Sequence, residues 1–347
     1  MIFVLRADAM ESDLQDLRAR LEGLGFVVEQ MSAMGRSVLG LSGDLDPTRL
    51  ESVKQLRAHP AVADIHTTLR SYRLVARSSA NESRSVWLGD LEIGGDAVVM
   101  MAGPCSVESK PQLFATAEAL QKAGVSVLRG GAFKPSTSPY SFQGLGDAGL
   151  ELLGEARQAF GLKVVTEVMD PRDVEKVSAV ADLLQIGTRN MFNYDLLREV
   201  GRGTRPVLLK RGFSARIEEW LLAAETVATQ GNDQIILCER GIRTFETATR
   251  NTLDLAAVPL LHELSRLPVV VDPSQGTGRR DLVAPMSLAA LAAGADGLLV
   301  EVHPDPVEAL KDGVQSLPLS DFLSWQPTFQ RVARAVGRTL GPESRVR

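Results

Sequence analysis

Apolar and polar positions alternate along this chain with two periods, and the places where one gives way to the other define its elements. In the first part, Ile2-Phe-Val-Leu5 reads as a strand, and Ser12 as the cap of an amphipathic helix running to Leu24. Val27 to Met31 and Ser37 to Leu41 follow as strand-like runs, Asp46 and Pro47 open a second helix to about Arg57, and Ile65 to Leu69 alternates as a last strand. This is the split βαβ pattern of a small ferredoxin-like α+β domain over residues 1–74. A polar stretch from Val75 to Ser85 reads as a linker, and two short apolar runs flanking Gly89-Asp90 predict a hairpin, so that residues 75–97 form linker and capping hairpin.

From residue 98 to 347 the pattern changes to strand-like runs alternating with helical ones. The runs are Val98 to Ala102, Val125 to Arg129, Lys163 to Glu167, Asp182 to Ile186, Pro206 to Lys210, Gln234 to Cys238, Pro268 to Asp272 and Gly297 to Val302. Segments such as Pro111 to Ala123 and Ile217 to Thr229 carry helical spacing between them. Eight βα units predict a closed (β/α)8 TIM barrel rather than an open doubly wound sheet. No strand opens into a G-x-G-x-x-G turn, which disfavours a dinucleotide site.

Composition narrows the class further. Of 347 residues, 44% are hydrophobic and 23% charged, a globular balance, and the net charge of -5 without a polybasic run gives no reason to expect nucleic acid or an anionic membrane as partner. No apolar run approaches the roughly 20 residues that span a bilayer. The N-terminus lacks a signal-peptide core, and two distant cysteines, Cys105 and Cys238, suit a reducing cytoplasm.

In a barrel, the residues just past each strand meet at one mouth. Here they are Cys105, Arg129, Lys134, Glu167, Arg189, Lys210, Arg211, Arg240, Asp272, Gln275 and Glu301. A cationic mouth in an acidic chain implies a small phosphorylated or carboxylated substrate, since charge-assisted hydrogen bonds grip such groups most strongly. Cys105, Glu301 and Asp312 form a candidate divalent-metal set. Glu167 reads equally as a catalytic group or as a partner that orients one of the arginines. Cys238, inside an apolar run, reads as core, and of the four histidines only His303 falls near the mouth.

The motifs Gly103-Pro-Cys-Ser, Leu128-Arg-Gly-Gly-Ala-Phe-Lys-Pro135, Thr137-Ser-Pro-Tyr-Ser-Phe-Gln-Gly144, Gln185-Ile-Gly-Thr-Arg-Asn190, Leu209-Lys-Arg-Gly212, Cys238-Glu-Arg-Gly-Ile-Arg-Thr-Phe245 and Val300-Glu-Val-His-Pro304 together resemble the 3-deoxy-D-arabino-heptulosonate 7-phosphate (DAHP) synthases of type I β. The resemblance implies condensation of phosphoenolpyruvate with erythrose 4-phosphate, the first step of aromatic amino-acid synthesis. It assigns the phosphoenolpyruvate carboxylate to Arg129 and Lys134, its phosphate to Arg189, Lys210 and Arg240, and the aldose phosphate to Thr137. Lys134, Glu167 and Cys105 are the expected catalytic residues. Cys105, Gln275, Glu301 and Asp312 are the expected ligands of a divalent ion (Mn, Mg, Zn, Fe or Co). A homo-oligomer is expected, and the N-terminal domain reads as a sensor of an aromatic amino acid such as Tyr or Phe, as the resemblance suggests, or as an oligomerisation module or structural appendage.

Two positions depart from that family. Gln275 stands where relatives have a histidine ligand, and offers an amide oxygen that suits a hard cation better than Zn or Fe. Ser136 stands where relatives have an arginine that grips the aldose phosphate, a loss that Arg279 or Arg280 is placed to offset. Phe192 also stands where relatives carry a polar residue. Two further readings follow: a synthase that takes a different aldehyde, and a weakly active regulatory paralogue that binds phosphoenolpyruvate or an aromatic effector.

Overall fold

The computed structural model describes residues 1–33, 36–42, 47–66, 71–77, 85–136 and 138–341. They form two compact units, Met1–Ser71 and Tyr72–Arg347.

The first unit contains β1 (Ile2–Leu5), α1 (Glu11–Gly23), β2 (Val27–Ala33), β3 (Arg36–Ser42), α2 (Pro47–Gln55) and β4 (Val62–His66). The sheet order is β2-β3-β1-β4, with β1 antiparallel to both β3 and β4. This is the arrangement expected of a ferredoxin-like unit. Phe3 and Leu5 of β1, Leu17 and Leu21 of α1, Leu39 of β3 and Val53 of α2 close its core. Two boundaries differ from the sequence reading. Ser12 lies inside the first turn of α1, whose N-cap is Met10 without a side-chain bond. The last strand occupies Val62–His66, because Val62 and Ile65 are the residues that reach the core, and residues 67–70 lie outside the described ones.

In the second unit, Arg73, Leu74 and Val75 donate their backbone N–H groups to the Glu225 carboxylate, and Ala76 bridges to Ser265. The start of the stretch expected as a linker is thus fixed to its own unit, while residues 78–84 lie outside the described ones. The hairpin β5 (Val86–Leu88) and β6 (Leu91–Ile93) turns at Gly89, whose φ of 67° is the left-handed geometry a tight turn needs.

The barrel runs β7 (Ala97–Gly103), α3 (Lys110–Lys122), β8 (Val127–Arg129), α4 (Asp147–Phe160), β9 (Lys163–Glu167), α5 (Val174–Val180), β10 (Leu183–Ile186), α6 (Tyr194–Arg202), β11 (Val207–Lys210), α7 (Ile217–Ala228), β12 (Ile235–Glu239), α8 (Ala257–Leu264), β13 (Val269–Val271), α9 (Pro273–Thr277), α10 (Arg280–Ala292) and β14 (Gly297–His303). Short β15 (Leu317–Pro318), α11 (Leu319–Ala335) and β16 (Thr339–Leu340) complete it. The strands are parallel in sequence order, and β14 pairs back onto β7 from Gly297↔Val99 to Glu301↔Gly103. That pairing closes the barrel.

Alternation along each strand divides the apolar residues into two layers. Val99, Met101, Val127, Val165, Leu183, Leu208, Ile236, Cys238, Val270 and Leu299 fill the interior, and Val86, Leu88, Leu91 and Ile93 of the hairpin pack with them. Val98, Met100, Leu128, Val164, Leu184 and Leu209 face the helices. The hairpin therefore plugs the end where the strands begin, leaving the opposite end to polar side chains. No helix is long and apolar enough to cross a membrane among the described residues.

Candidate active site

The strands deliver charged residues to the open end. Arg129 ends β8, Glu167 ends β9, Lys210 ends β11, Glu301 lies in β14, and Arg240 and Asp272 follow β12 and β13 directly. These six side chains are buried. Two glycines make room for them: a Cβ at Gly103 would collide with the Arg129 carbonyl oxygen, and one at Gly187 with the Glu167 carboxylate.

A cavity of about 280 Å³ opens there. Arg129, Lys134, Arg189, Lys210, Arg240, Arg250 and Lys311 line it, against the carboxylates of Glu167 and Asp312. Part of this charge is compensated internally. Lys210 Nζ donates to Asp272 Oδ2 at 2.6 Å, and Arg129 Nη2 lies 3.0 Å from Glu301 Oε1. Burial opposes the Asp272 charge, but Lys210 and Arg129 outweigh it and hold its carboxyl below the ordinary value. Burial also opposes the Lys134 charge, and Cys105, Glu167 and Glu301 overcome it, so Lys134 stays protonated while its Nζ donates to the Cys105 carbonyl at 2.9 Å.

Compensation is weaker at Arg240. Arg240 is pulled below its usual value by burial and by the neighbouring Arg250, against the opposing pull of Asp272. Its Nε and the Nη1 of Arg129 are buried without a hydrogen-bond partner. Arg189, Arg240 and Arg243 gather around the Phe213 ring, at 5.5, 5.0 and 4.4 Å from its centroid. Buried guanidinium nitrogens without acceptors are costly, and an anion entering the cavity is the group that would satisfy them. Glu167 is arranged differently from the sequence expectation of an arginine partner. It accepts from Gln185 Nε2 at 3.2 Å, and its other oxygen has no partner.

Cys105, Glu301 and Asp312 converge, with one donor atom from each lying within 4.8 Å of the others. A thiol and two carboxylates at this spacing are a fitting donor set for a divalent ion. Burial, then Glu301 and Asp312, push the Cys105 thiol up, and its Sγ donates to Asp312 Oδ2 at 3.2 Å. Gln275 stands at the cluster but does not turn its oxygen toward it. Gln275 Nε2 donates to Glu301 Oε1 at 2.8 Å and to Asp312 Oδ2 at 3.0 Å, while its Oε1 accepts from Arg240 at 3.2 Å and Arg250 at 3.1 Å. Gln315 Nε2 donates to the remaining Glu301 oxygen.

Several sequence expectations are thereby redrawn. Arg211 is not part of the cavity: it pairs with Glu239 and Asp254 and lies over Trp220. Arg279 pairs with Asp281 and Arg280 donates to the Gly313 carbonyl, and both border a separate surface depression, so neither replaces the arginine absent at Ser136. Ser136 itself lines the cavity and donates to the Phe142 carbonyl at 2.8 Å. Thr137 lies outside the described residues. Phe192 is half exposed, and His303 is buried against Glu108 at 3.3 Å. Arg250, Lys311 and Gln315 were not singled out from the sequence. Arg250 follows β12 by more than ten residues, and only Lys311 gave a local signal, as a cation beside the candidate ligand Asp312.

Comparison with known proteins agrees with this geometry. The profile of the DAHP synthetase I family matches residues 73–337. The phospho-2-dehydro-3-deoxyheptonate aldolase of Thermotoga maritima is 47% identical over 337 residues, 97% of this chain and 99% of the relative. A 2-dehydro-3-deoxyphosphooctonate aldolase of Syntrophotalea carbinolica is 36% identical over 67% of this chain and 90% of its own length. The crystal structure of the Thermotoga maritima DAHP synthase superposes with a TM-score of 0.79 at 46% identity, covering 98% of this chain and 99% of that one. Its truncated form gives 0.73 at 50% identity over 78% of this chain. With its closed barrel, its cationic mouth and its near full-length match, the chain belongs to the DAHP synthetase I family.

Proposed function

We propose that this enzyme condenses phosphoenolpyruvate with erythrose 4-phosphate to give DAHP and inorganic phosphate. The observation that carries the proposal is the buried cation set with orphaned donors at Arg129 and Arg240 in one cavity. The phosphoenolpyruvate carboxylate binds Arg129 and Lys134, and its phosphate binds Arg189, Lys210 and Arg240. So held, its C3 faces the aldehyde carbon of the second substrate. A bond forms between them, the aldehyde oxygen takes a proton, water adds at C2, and the C2 phosphate leaves as the ketone forms.

Lys134, kept protonated, supplies the proton to the new alkoxide, and the unpartnered Glu167 oxygen takes one from the attacking water. A divalent ion held by Cys105, Glu301 and Asp312 would supply Lewis acidity toward the aldehyde oxygen. Mn or Mg matches the carboxylates, and Zn, Fe or Co the sulfur. The thiol proton of Cys105 must leave for such an ion to bind, so its affinity rises with pH.

The same cavity takes the aldose phosphate. Lys311 lines it together with Ser136, Ser138 and Ser141, and supplies the cation that Ser136 lacks. The small unit has its own cavity, bordered by Leu5, Arg6, Asp8 and Leu14, and we assign it to an aromatic amino-acid effector of a cytoplasmic homo-oligomer. The test of the reaction is phosphate release from phosphoenolpyruvate with erythrose 4-phosphate, run beside arabinose 5-phosphate. Release only with the five-carbon sugar would support an altered acceptor, consistent with the likeness to phosphooctonate aldolases and the serine at 136. Saturable phosphoenolpyruvate binding without turnover on either would support a regulatory paralogue.

A further inference from the structure

We infer that Gln275 is a built-in competitor of the divalent ion rather than one of its ligands. The inference rests on the assignment of Cys105, Glu301 and Asp312 as the ion's donors, but not on the reaction.

A primary amide has two faces of opposite character, donors on nitrogen and an acceptor oxygen. Here both faces are fully used. The oxygen receives guanidinium N–H groups from Arg240 and Arg250, and the nitrogen gives its two protons to Glu301 and Asp312. These partners fix the orientation: reversal would set the NH2 against two guanidiniums and the oxygen against two carboxylates. The side chain is also positioned from below, because Gln275 lies in α9, where its own N–H is capped by Asp272 Oδ1 at 2.8 Å.

The donor face therefore points at oxygens of the same two carboxylates that form the candidate ion site. Asp312 Oδ2 already accepts from Cys105 Sγ as well, and Glu301 Oε1 forms an ion pair with Arg129. An ion entering this cluster competes with the Gln275 amide for both carboxylates. To act as a ligand, the amide must instead turn its oxygen inward, abandoning Arg240 and Arg250. Neither arises if residue 275 lacks a donor.

Substitution by a residue with neither donor nor hard ligand atom separates competitor from ligand, because the two roles predict opposite signs. Equilibrium dialysis with Mn2+, without substrate and at fixed pH, should show tighter binding by Gln275→Met than by the parent, by about tenfold or more, the size expected when a competing charge-assisted bond is removed. Gln275→Ala should move the same way, and serves if the methionine variant folds poorly. Gln275→His should bind at least as tightly as either. Weaker or unchanged Mn2+ binding by both Gln275→Met and Gln275→Ala overturns the inference. The variant Asp312→Asn, made in the Gln275→Met background, identifies the source of a failure. If it leaves Mn2+ binding unchanged, the ion is elsewhere, and the ligand assignment falls together with the competitor.

Discussion

Replacing Lys311 by alanine should weaken the acceptor sugar and spare phosphoenolpyruvate. Lys311 lines the same cavity as Ser136, Ser138 and Ser141, and no hydrogen bond or ion pair engages its ammonium among the described residues. Its removal should therefore cost the fold about 0.5 kcal/mol or less, as for surface positions without a packing role. For a bound aldose phosphate the loss is one charge-assisted bond, about 1.5–3 kcal/mol, which corresponds to roughly a 10- to 150-fold rise in KM for erythrose 4-phosphate. Phosphoenolpyruvate should be insensitive, because its phosphate is assigned to Arg189, Lys210 and Arg240. The assay is initial-rate phosphate release with each substrate varied in turn, and the double variant with Ser136→Arg should recover most of the loss. A KM for erythrose 4-phosphate within twofold of the parent, or a parallel rise for both substrates, would refute the placement of the second phosphate.

Three further predictions address stability, reactivity and regulation. Asp272→Asn strands Lys210 in a buried site, and urea denaturation should show a loss of about 3–5 kcal/mol; a loss under 1 kcal/mol would mean that the pair is solvated. Because the folded Asp272 carboxyl is held below its ordinary value, its contribution is complete above the unfolded carboxylate value of about 3.9 and is lost as pH falls through the folded one. The parent should accordingly lose stability more steeply than Asp272→Asn on acidification below about pH 4. Burial pushes the Cys238 thiol up to about 12 and raises Cys105 as well, so neither should react with a thiol reagent at pH 7 until the chain unfolds, as absorbance on addition of urea will report. Removing residues 1–71 should abolish inhibition by an aromatic amino acid while synthase activity persists, and inhibition that survives the truncation would place the effector in the barrel.

The barrel was legible because its signal is repeated: eight apolar runs separated by helical segments specify the strands, and the polar residues at or just past their ends specify where chemistry gathers. Lys163–Glu167 was placed to the residue, and the hairpin turn at Gly89-Asp90 fell where a glycine in the left-handed region had to be. The small unit was less exact. Ser12 resembles a cap, yet the helix starts at Glu11, since capping preference is worth about 1 kcal/mol and packing of Leu17 and Leu21 decides the register.

At the site, strand-end position identified Arg129, Glu167, Lys210, Arg240 and Glu301. It could not distinguish Lys210, which lines the cavity, from Arg211 next to it, which alternation sends toward Glu239, Asp254 and Trp220. Partnering was the illegible part. That Glu167 meets Gln185, that Arg250 returns from a long loop to hold Gln275, and that the glutamine offers its nitrogen to the carboxylates all depend on contacts between residues 18 to 37 positions apart. A local pattern carries no information about such pairs.

The most direct test of the account is phosphate release by the purified full-length chain with phosphoenolpyruvate and erythrose 4-phosphate, after chelation and with Mn2+ restored. The account predicts turnover that requires both substrates and collapses in Arg240→Ala. Absence of turnover with any supplied ion, or release that Arg240→Ala leaves intact, would contradict it.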